Sequence, residues 1–428
     1  MSKLMLICLL AIATTLSCRD TGTDVVREVP FNGSTLTEIH IDNIPSEVIE
    51  MNLSDFCTGF RITPLETNDK CLIGGFNKIA ALTENNIFIG FYTEDAPTVV
   101  YRFDQDGRFI NSIGKGGRGP GEHTGFDVTS ILPDESKGTV TIEWSGYVGN
   151  HPISYDFDGR FLGNVLFPEI LLGGFYKWSD DEWFSTGSVT GNPEYPRDSV
   201  LILFYNKNGQ RTGLHPRTIY PSGTSEKYTP HGQVSIHKYK NSYKVFSPES
   251  DTIYSVTKEK LIPSEVIFRG ADGMPFNMKF DDPQETIGKH YLIPAAETES
   301  YYLFTMAVLT EADMQKYGPG RWGGIVDFDY KTILIEKKGK KAAYIKLTDD
   351  VFGFLPDFFF EDMFREMQGQ TISFQFDASR FLNTLAEKGI DPQKFQNLTS
   401  SPERFRSLTP ESNPVLITFS LKNDIRIK

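Results

Sequence analysis

Two short segments of the chain carry the side chains best suited to chemistry, and the first is rich in glycine. Gly114-Lys-Gly-Gly-Arg-Gly119 has the spacing G-x-G-x-x-G and places Lys115 and Arg118 among backbone amides that could face an anion. A dinucleotide site needs a helix directly after the glycines, whereas Pro120-Gly121 and further strand residues follow here. The pattern therefore favours a tight connection between strands, with Lys115 and Arg118 as candidate anion ligands.

The second segment, Trp178-Ser-Asp-Asp-Glu-Trp183, places three carboxylates between two tryptophans. Aromatic planes combined with carboxylates can bind a sugar or exchange protons with one. Ser-Asp-Asp-Glu is also an ordinary hairpin turn, and flanking tryptophans would fill the sheet beside it. We expect the turn, and Trp178 and Trp183 stay candidate ligand-binding residues.

The other reactive side chains lack the spacing of a metal or catalytic site. His231 and His237 are separated by about 20 Å along a strand, too far to share a zinc ion unless the chain turns between them. The G-x-S-x-G nucleophile elbow does not occur in the sequence. We therefore expect no metal, no cofactor and no catalytic residue.

A nine-residue phrase returns along the chain and indicates the elements that would position these segments. Each copy has an aromatic residue four positions before a glycine, and Asp or Asn three and one positions before it. Such residues form a type I turn followed by a left-handed glycine, which predicts an antiparallel hairpin. The copies are Tyr101-Arg-Phe-Asp-Gln-Asp-Gly-Arg-Phe109, Ile153-Ser-Tyr-Asp-Phe-Asp-Gly-Arg-Phe161 and Leu203-Phe-Tyr-Asn-Lys-Asn-Gly-Gln-Arg211.

The turn glycines of this phrase, Gly107, Gly159 and Gly209, are spaced 52 and 50 residues apart. A period of this length predicts an array of like four-stranded units around one core. We predict that residues 54–110 form the first complete unit, beginning with a strand at residues 60–65. Helical spacing near the C-terminus predicts an insertion in the last unit, at about residues 356–410.

The first seventeen residues have the pattern of a signal peptide. Lys3 precedes the apolar run Leu4 to Ala13, which is too short to span a bilayer. Leu16-Ser17-Cys18 resembles a bacterial lipoprotein signal, with Thr15 where that signal usually has leucine. We expect residues 1–17 to be removed, Cys18 to be lipidated and residues 18–30 to form a polar tether. The alternative is cleavage after Ala11-Ile-Ala13 and a soluble, secreted protein.

Charge and cysteine positions restrict the remaining classes. The net charge of −13 disfavours a nucleic acid partner, which needs a basic footprint. In an exported protein, Cys57 and Cys71 could form a disulfide. The predicted strand and turn between them separate the two by over about 20 Å, so we expect buried free thiols.

The segment Ser112-Ile-Gly-Lys-Gly-Gly-Arg-Gly-Pro-Gly-Glu122, after Phe103-Asp-Gln-Asp-Gly-Arg-Phe-Ile110, resembles the six-bladed β-propeller lipoproteins of Bacteroidota. In that resemblance Gly114, Gly119, Pro120 and Gly121 are structural residues of the connection. The resemblance implies an all-β, six-bladed propeller of four-stranded antiparallel blades over residues 31–428, similar in shape to NHL and TolB-like propellers. It also implies export and a lipid anchor in the cell envelope, which we expect at the outer membrane, and the family has no established catalytic residues to carry over to this chain.

These observations favour a binding or scaffold protein over an enzyme. A propeller offers loop-rich faces and a central channel, which suit a peptide, glycan or protein partner at the cell envelope. The alternative function is a hydrolase or lyase with its site in the channel mouth. The alternative location is periplasmic or secreted.

Overall fold

In the computed structural model four strands precede the first blade: β1 (Val26–Phe31), β2 (Ser34–His40), β3 (Val48–Asn52) and β4 (Cys57–Pro64). A 3₁₀ turn (Ile41–Asn43) follows β2, and the short helix α1 (Leu53–Phe56) joins β3 to β4. The structure describes residues 24–74, 79–92, 98–125, 127–146, 149–165, 170–171, 174–186, 189–190, 200–216, 234–240, 242–246, 251–273, 288–308, 329–355 and 370–427.

Three four-stranded antiparallel blades come next in the chain. Blade 1 contains β5 (Ile79–Leu82), β6 (Asn86–Gly90), β7 (Val100–Asp104) and β8 (Phe109–Ile113). After the short parallel pair β9 (Lys115–Gly116) and β10 (Glu122–His123), blade 2 contains β11 (Asp127–Asp134), β12 (Thr139–Gly146), β13 (Gly149–Asp156) and β14 (Phe161–Asn164). Blade 3 contains β16 (Phe175–Lys177), β17 (Glu182–Thr186), β19 (Val200–Asn206) and β20 (Arg211–Pro216). A separate two-stranded sheet pairs β15 (Ile170–Leu171), which precedes β16, with β18 (Val189–Thr190), which lies between β17 and β19 in the sequence.

Three further blades complete the described part of the ring. Blade 4 contains β21 (Ser235–Tyr239), β22 (Ser242–Phe246), β23 (Thr252–Val256) and β24 (Leu261–Phe268). Blade 5 contains β25 (His290–Glu297), β26 (Tyr301–Val308), β27 (Asp329–Glu336) and β28 (Ala342–Thr348). Blade 6 contains β29 (Thr371–Phe376), β30 (Val415–Leu421) and β4.

Apolar layers between the blades hold the ring together. The first strands of neighbouring blades contact each other, β5 with β11, β11 with β16 and β21 with β25, which is typical of the strands that surround a propeller axis. Phe88 of blade 1 and Trp144 of blade 2, for example, are fully buried in one cluster. The prediction of an all-β, six-bladed propeller is therefore confirmed.

The N-terminal strands run around the outer edges of the last three blades. β2 pairs in parallel with β24 of blade 4, and β3 pairs in parallel with β28 of blade 5. β4 then pairs with β30 and closes the ring. The predicted first unit at residues 54–110 is therefore wrong, because its opening strand belongs to blade 6 and blade 1 begins at Ile79.

The recurring phrase forms the turn between the third and fourth strands of blades 1 to 3. Oδ1 of Asp104 accepts hydrogen bonds from the N–H groups of Asp106 (2.9 Å) and Arg108 (2.8 Å), and Gly107 has φ of 77°. Asp156 and Asn206 cap the corresponding turns of blades 2 and 3 in the same way. The predicted hairpins are confirmed, each with a bulge beside the turn.

Helices interrupt blade 6 between β29 and β30, and the predicted helical insertion near the C-terminus is confirmed. They are α2 (Ala378–Glu387), a 3₁₀ turn (Pro392–Phe395) and α3 (Pro402–Arg406). Their phenylalanines Phe381, Phe395 and Phe405 are buried in the largest core cluster. The N–H of Ile62 in β4 donates to the carbonyl of Leu398 (2.8 Å), so the insertion covers the outer edge of blade 6. The helical pattern at residues 358–367 lies outside the described residues.

Candidate functional site

The glycine-rich segment forms the connection from blade 1 to blade 2. Glu122, at its end, accepts a hydrogen bond from the N–H of Gly119 (2.9 Å) and forms an ion pair with Lys115 (3.1 Å). The Gly119 N–H and the Lys115 ammonium lower the pKa of Glu122. The carboxylate of Glu122 thus occupies the position that we assigned to an anion, beside Lys115. Binding of an external anion by Lys115 and Arg118 stays a prediction, and it would require displacement of Glu122.

Close packing explains the glycines of this segment. Gly121 has φ of 75°, and a Cβ there would lie 2.6 Å from Cβ of Phe161 in β14. At Gly114, a Cβ would lie 2.6 Å from the ring of Trp144. The hydroxyl of Tyr155 donates to the carbonyl of Gly121 (3.0 Å) and ties the connection to blade 2. A Cβ at Gly119 would lie 3.1 Å from Oε2 of Glu122, and a structural role for Gly119 and Pro120 stays a prediction.

A histidine that the sequence analysis did not single out lies under this connection. His123 is 4% exposed, and its ring is stacked on Trp144 with 3.6 Å between centroids and 12° between planes. Burial lowers the pKa of His123 to about 4, although the backbone of Thr98 and Gly125 partly offsets that effect. The imidazole is therefore neutral at physiological pH and acts as a packing group. The adjacent Gly-Pro-Gly-Glu122 motif is the sequence signal that could have drawn attention to it.

The segment Trp178-Ser-Asp-Asp-Glu-Trp183 is the turn between β16 and β17. The N–H of Trp178 donates to the carbonyl of Glu182 (2.9 Å), and the Trp178 ring packs edge-on against Phe204. Trp183 is buried in blade 3. Each carboxylate of the turn pairs with a lysine: Asp180 with Lys137, Asp181 with Lys207 and Glu182 with Lys258. These ion pairs occupy the carboxylates between the two tryptophans. Ligand binding by Trp178 and Trp183 stays a prediction.

A buried ionic cluster lies between blades 4 and 5 and was not predicted. It contains His237, Lys244, Glu265, Glu297 and Lys337, from both blades. Glu297 accepts from Lys244 (2.7 Å), Lys337 (2.7 Å) and His237 (3.4 Å), and Lys244 also pairs with Glu265. The side chains of Lys244 (8%), Glu265 (4%) and Glu297 (4%) are almost fully removed from solvent.

The electrostatics of this cluster favour the charged forms of Glu297 and Lys244. Burial by itself would raise the pKa of Glu297, but the hydrogen bond from His237 and the charges of Lys244 and Lys337 hold it at about 2. Burial likewise opposes charge on Lys244, and the two carboxylates outweigh it and raise its pKa. The Lys337 ammonium also lies 4.4 Å from the ring centroids of Tyr239 and Tyr302.

A general acid or base works best with a pKa near the operating pH, so the pKa of Glu297 does not suit that role. Removal of one partner from such a buried pair is costly, because the remaining charge is left in a medium of low dielectric. The buried ionic cluster is therefore a clamp that joins two blades. One histidine, two lysines and two glutamates from four strands and one turn form no local motif, so the cluster could not be predicted from the sequence.

Histidine and cysteine side chains are the remaining candidates for metal or thiol chemistry. In the described part of the chain, no group of three or more His, Cys, Asp or Glu side chains is arranged to hold a metal ion. His231 lies outside the described residues. Cys57 and Cys71 are free and buried, so the predicted free thiols are confirmed. Burial raises the pKa of Cys57 to about 12.

Among the residues that the structure describes, none of the helices has the length and apolar character needed to cross a membrane.

Comparison with known proteins supports the fold and the family. A protein from Bacteroides fragilis NCTC 9343 that carries the name "putative exported protein" is 16% identical, with a TM-score of 0.56 over 90% of this chain and 99% of that chain. A member of the duf4221 family from Bacteroides vulgatus is 10% identical, with a TM-score of 0.47 over 86% of this chain and 98% of that one. No curated protein matches the chain. The profile of the family described as "Domain of unknown function (DUF4934)" matches residues 36–420, and the chain therefore belongs to that family.

Proposed function

We propose that the protein is an exported lipoprotein, anchored through Cys18 at the outer membrane, that binds or scaffolds a peptide, glycan or protein partner in the cell envelope. The observation that carries this proposal is the internal pairing of charge at the blade interfaces. Glu297 and Glu265 are paired with lysines in the buried ionic cluster, and Glu182 is paired across blades 3 and 4. Such ion pairs stabilise a rigid ring, and the carboxyl group of Glu297, whose pKa is held at about 2, is poorly suited to proton transfer.

The course of the N-terminal segment supports an anchored scaffold. β2, β3 and β4 extend or complete three successive blades, so the segment that follows the tether is bound along the ring. Asp24, the first described residue, is held by a hydrogen bond from Asn43 to its carbonyl (3.2 Å). Tension on an N-terminal anchor would therefore be transmitted to three blades.

The alternative function is a hydrolase or lyase, and Asp127 is the residue that supports it. Asp127 begins β11, the first strand of blade 2, and burial raises the pKa of its carboxyl group. A carboxyl group with a raised pKa can act as a general acid. If the protein were an enzyme of this class, Asp127→Asn would abolish turnover of its substrate, whereas the binding function predicts no turnover to lose.

The proposed function is tested on the native protein after crosslinking and extraction from membranes. We expect the N-terminal peptide to begin at an acylated Cys18 and a defined partner to be crosslinked to the propeller. The Cys18→Ser variant should leave the membrane fraction in a high-salt wash, which screens electrostatic attachment, whereas the acylated protein should stay. Recovery of the protein in the soluble fraction with an unmodified N-terminus at residue 14 would overturn the anchor. Recovery of the protein without any crosslinked partner would overturn the binding role as well.

A further inference from the structure

The turn between β27 and β28 is strongly basic, although the protein as a whole is acidic. Its sequence is Lys337-Lys-Gly-Lys-Lys341, and we call it the basic turn. Lys338, Lys340 and Lys341 are exposed, whereas Lys337 points into the buried ionic cluster. The basic turn therefore presents three ammonium groups to solvent from a backbone that Lys337 fixes to Glu297 of blade 5.

The exposed lysines of the basic turn have only weak partners in the described part of the chain. Lys340 lies 3.9 Å from Asp24, with both side chains about half exposed, and Lys341 donates to the carbonyl of Ile427 at 3.5 Å. Ion pairs at such distances between exposed groups contribute little. These charges are therefore available to an external anion.

More positive charge lies next to the basic turn. The Lys337 ammonium contacts the ring of Tyr239 at the end of β21, so the turn between β21 and β22 is adjacent. Lys238 and Lys240 flank Tyr239 and are exposed. Lys240 pairs with Glu299 at 3.4 Å, and both side chains are mostly solvated. The five exposed ammonium groups of the two turns thus outnumber the carboxylates beside them, which are those of Asp24, Glu299 and Glu336.

The chain enters the fold beside the basic turn. Asp24, next to Lys340, is separated from Cys18 by Arg19-Asp-Thr-Gly-Thr23. Six residue steps span at most about 20 Å when fully extended. A lipid on Cys18 would therefore keep the basic turn within about 20 Å of the membrane surface, whatever conformation the tether adopts.

Proximity decides the sign of the electrostatic interaction with an anionic bilayer. The net charge of −13 repels such a surface, but salt screens charges that lie more than about 8–10 Å away. When the tether brings the basic turn within that distance of the surface, its lysines interact with the bilayer while most of the acidic remainder is screened. We propose that the basic turn is a second membrane contact that binds anionic phospholipid headgroups beside the lipidated Cys18, an inference that rests on the proposed anchor.

The test uses the unacylated mature chain, Cys18→Ser, so that the lysines alone determine binding. Co-sedimentation is measured with neutral phosphatidylcholine vesicles and with vesicles containing about one third phosphatidylglycerol, at an ionic strength of about 0.15 M, where the distant acidic groups are screened. The variant Lys338→Gln/Lys340→Gln/Lys341→Gln is compared with Lys70→Gln/Lys207→Gln/Lys388→Gln. The control removes the same charge from three exposed lysines elsewhere on the surface.

We expect partition onto anionic vesicles to fall about 100-fold in the basic-turn variant, since each lysine near such a surface contributes roughly fivefold. The control variant should retain the original partition, and none of the proteins should bind neutral vesicles. Equal losses in both variants would overturn the proposal, because they would show a response to net charge alone. The proposal would also be overturned, in favour of a free-phosphate site, if inorganic phosphate released more protein from the anionic vesicles than chloride of the same ionic strength.

The vesicle measurement, combined with the acylation state of native Cys18, distinguishes this proposal from the proposed anchor. If native Cys18 carries no lipid but the basic turn still selects anionic vesicles, the anchor is wrong and this lipid-binding surface stands. If Cys18 is acylated and the two lysine variants behave alike, the anchor stands and this proposal is wrong.

Discussion

The buried imidazole of His123 makes the stability of the protein depend on pH in a predictable window. Its pKa is lowered from 6.5 to about 4 in the folded chain, chiefly by burial. Between these values the unfolded chain binds a proton that the folded chain does not, so stability falls as the pH decreases from 6.5 towards 4. Above pH 6.5 the contribution is fully present. The shift corresponds to about 2 kcal/mol lost between pH 7 and pH 5, and about 3 kcal/mol by pH 4.

The prediction is measured by urea unfolding followed by tryptophan fluorescence, at pH 7 and pH 5. His123→Phe keeps a ring against Trp144 and removes the titration. We expect the wild type to lose about 2 kcal/mol more than the variant over this interval. Other groups, including His290, whose pKa burial also lowers, titrate in both proteins and cancel in the comparison. Identical pH dependence in the two proteins would refute the assignment of a neutral, buried His123.

Two further substitutions and a labelling experiment test the packing and electrostatic arguments. Glu297→Gln leaves Lys244 and Lys337 without their shared carboxylate and should cost about 3 kcal/mol of unfolding free energy. The control Glu299→Gln changes an exposed residue and should cost under about 0.5 kcal/mol. Similar urea midpoints for the two variants would contradict the clamp. Gly121→Ala adds both backbone strain and a clash with Phe161, so it should destabilise by at least about 2 kcal/mol. The control is Gly138→Ala, where φ is 61° but the added Cβ would lie 4.0 Å from the nearest atom, and it should cost only about 1 kcal/mol. Equal losses of stability in the two alanine variants would show that the clash between residue 121 and Phe161 is relieved. Cys57 and Cys71 should react with a thiol reagent only in denaturant, because burial raises the pKa of both; stoichiometric labelling of the native protein would rule out their burial.

Local features of the chain were predictable where the residues concerned are close in sequence. The Asp104 and Gly107 turn follows from side-chain capping and a left-handed backbone, both of which operate within five residues. The turn at Trp178 to Trp183 was preferred for the same reason. The resemblance in the Gly-Pro-Gly-Glu122 segment then supplied the blade number, which composition and spacing alone left open.

Contacts between distant residues were not predictable in the same way. The strand at Cys57–Pro64 has a clear β pattern, but its pairing with β30, more than three hundred residues later, depends on closure of the ring. The pattern of one strand specifies which of its faces is buried and not which edge it joins.

The amino-acid sequence by itself determined the hairpin turns, the strand-rich character and the tight glycine connection, because short-range sterics and hydrogen bonds decide these. Only the tertiary structure decided that Glu122 occupies the anion position beside Lys115, that Glu297 meets Lys244 and Lys337 between two blades, and that the basic turn adjoins Asp24. Each of these depends on side chains brought together by the packing of whole blades. That packing is set by burial of apolar surface over the entire ring, which no local segment encodes.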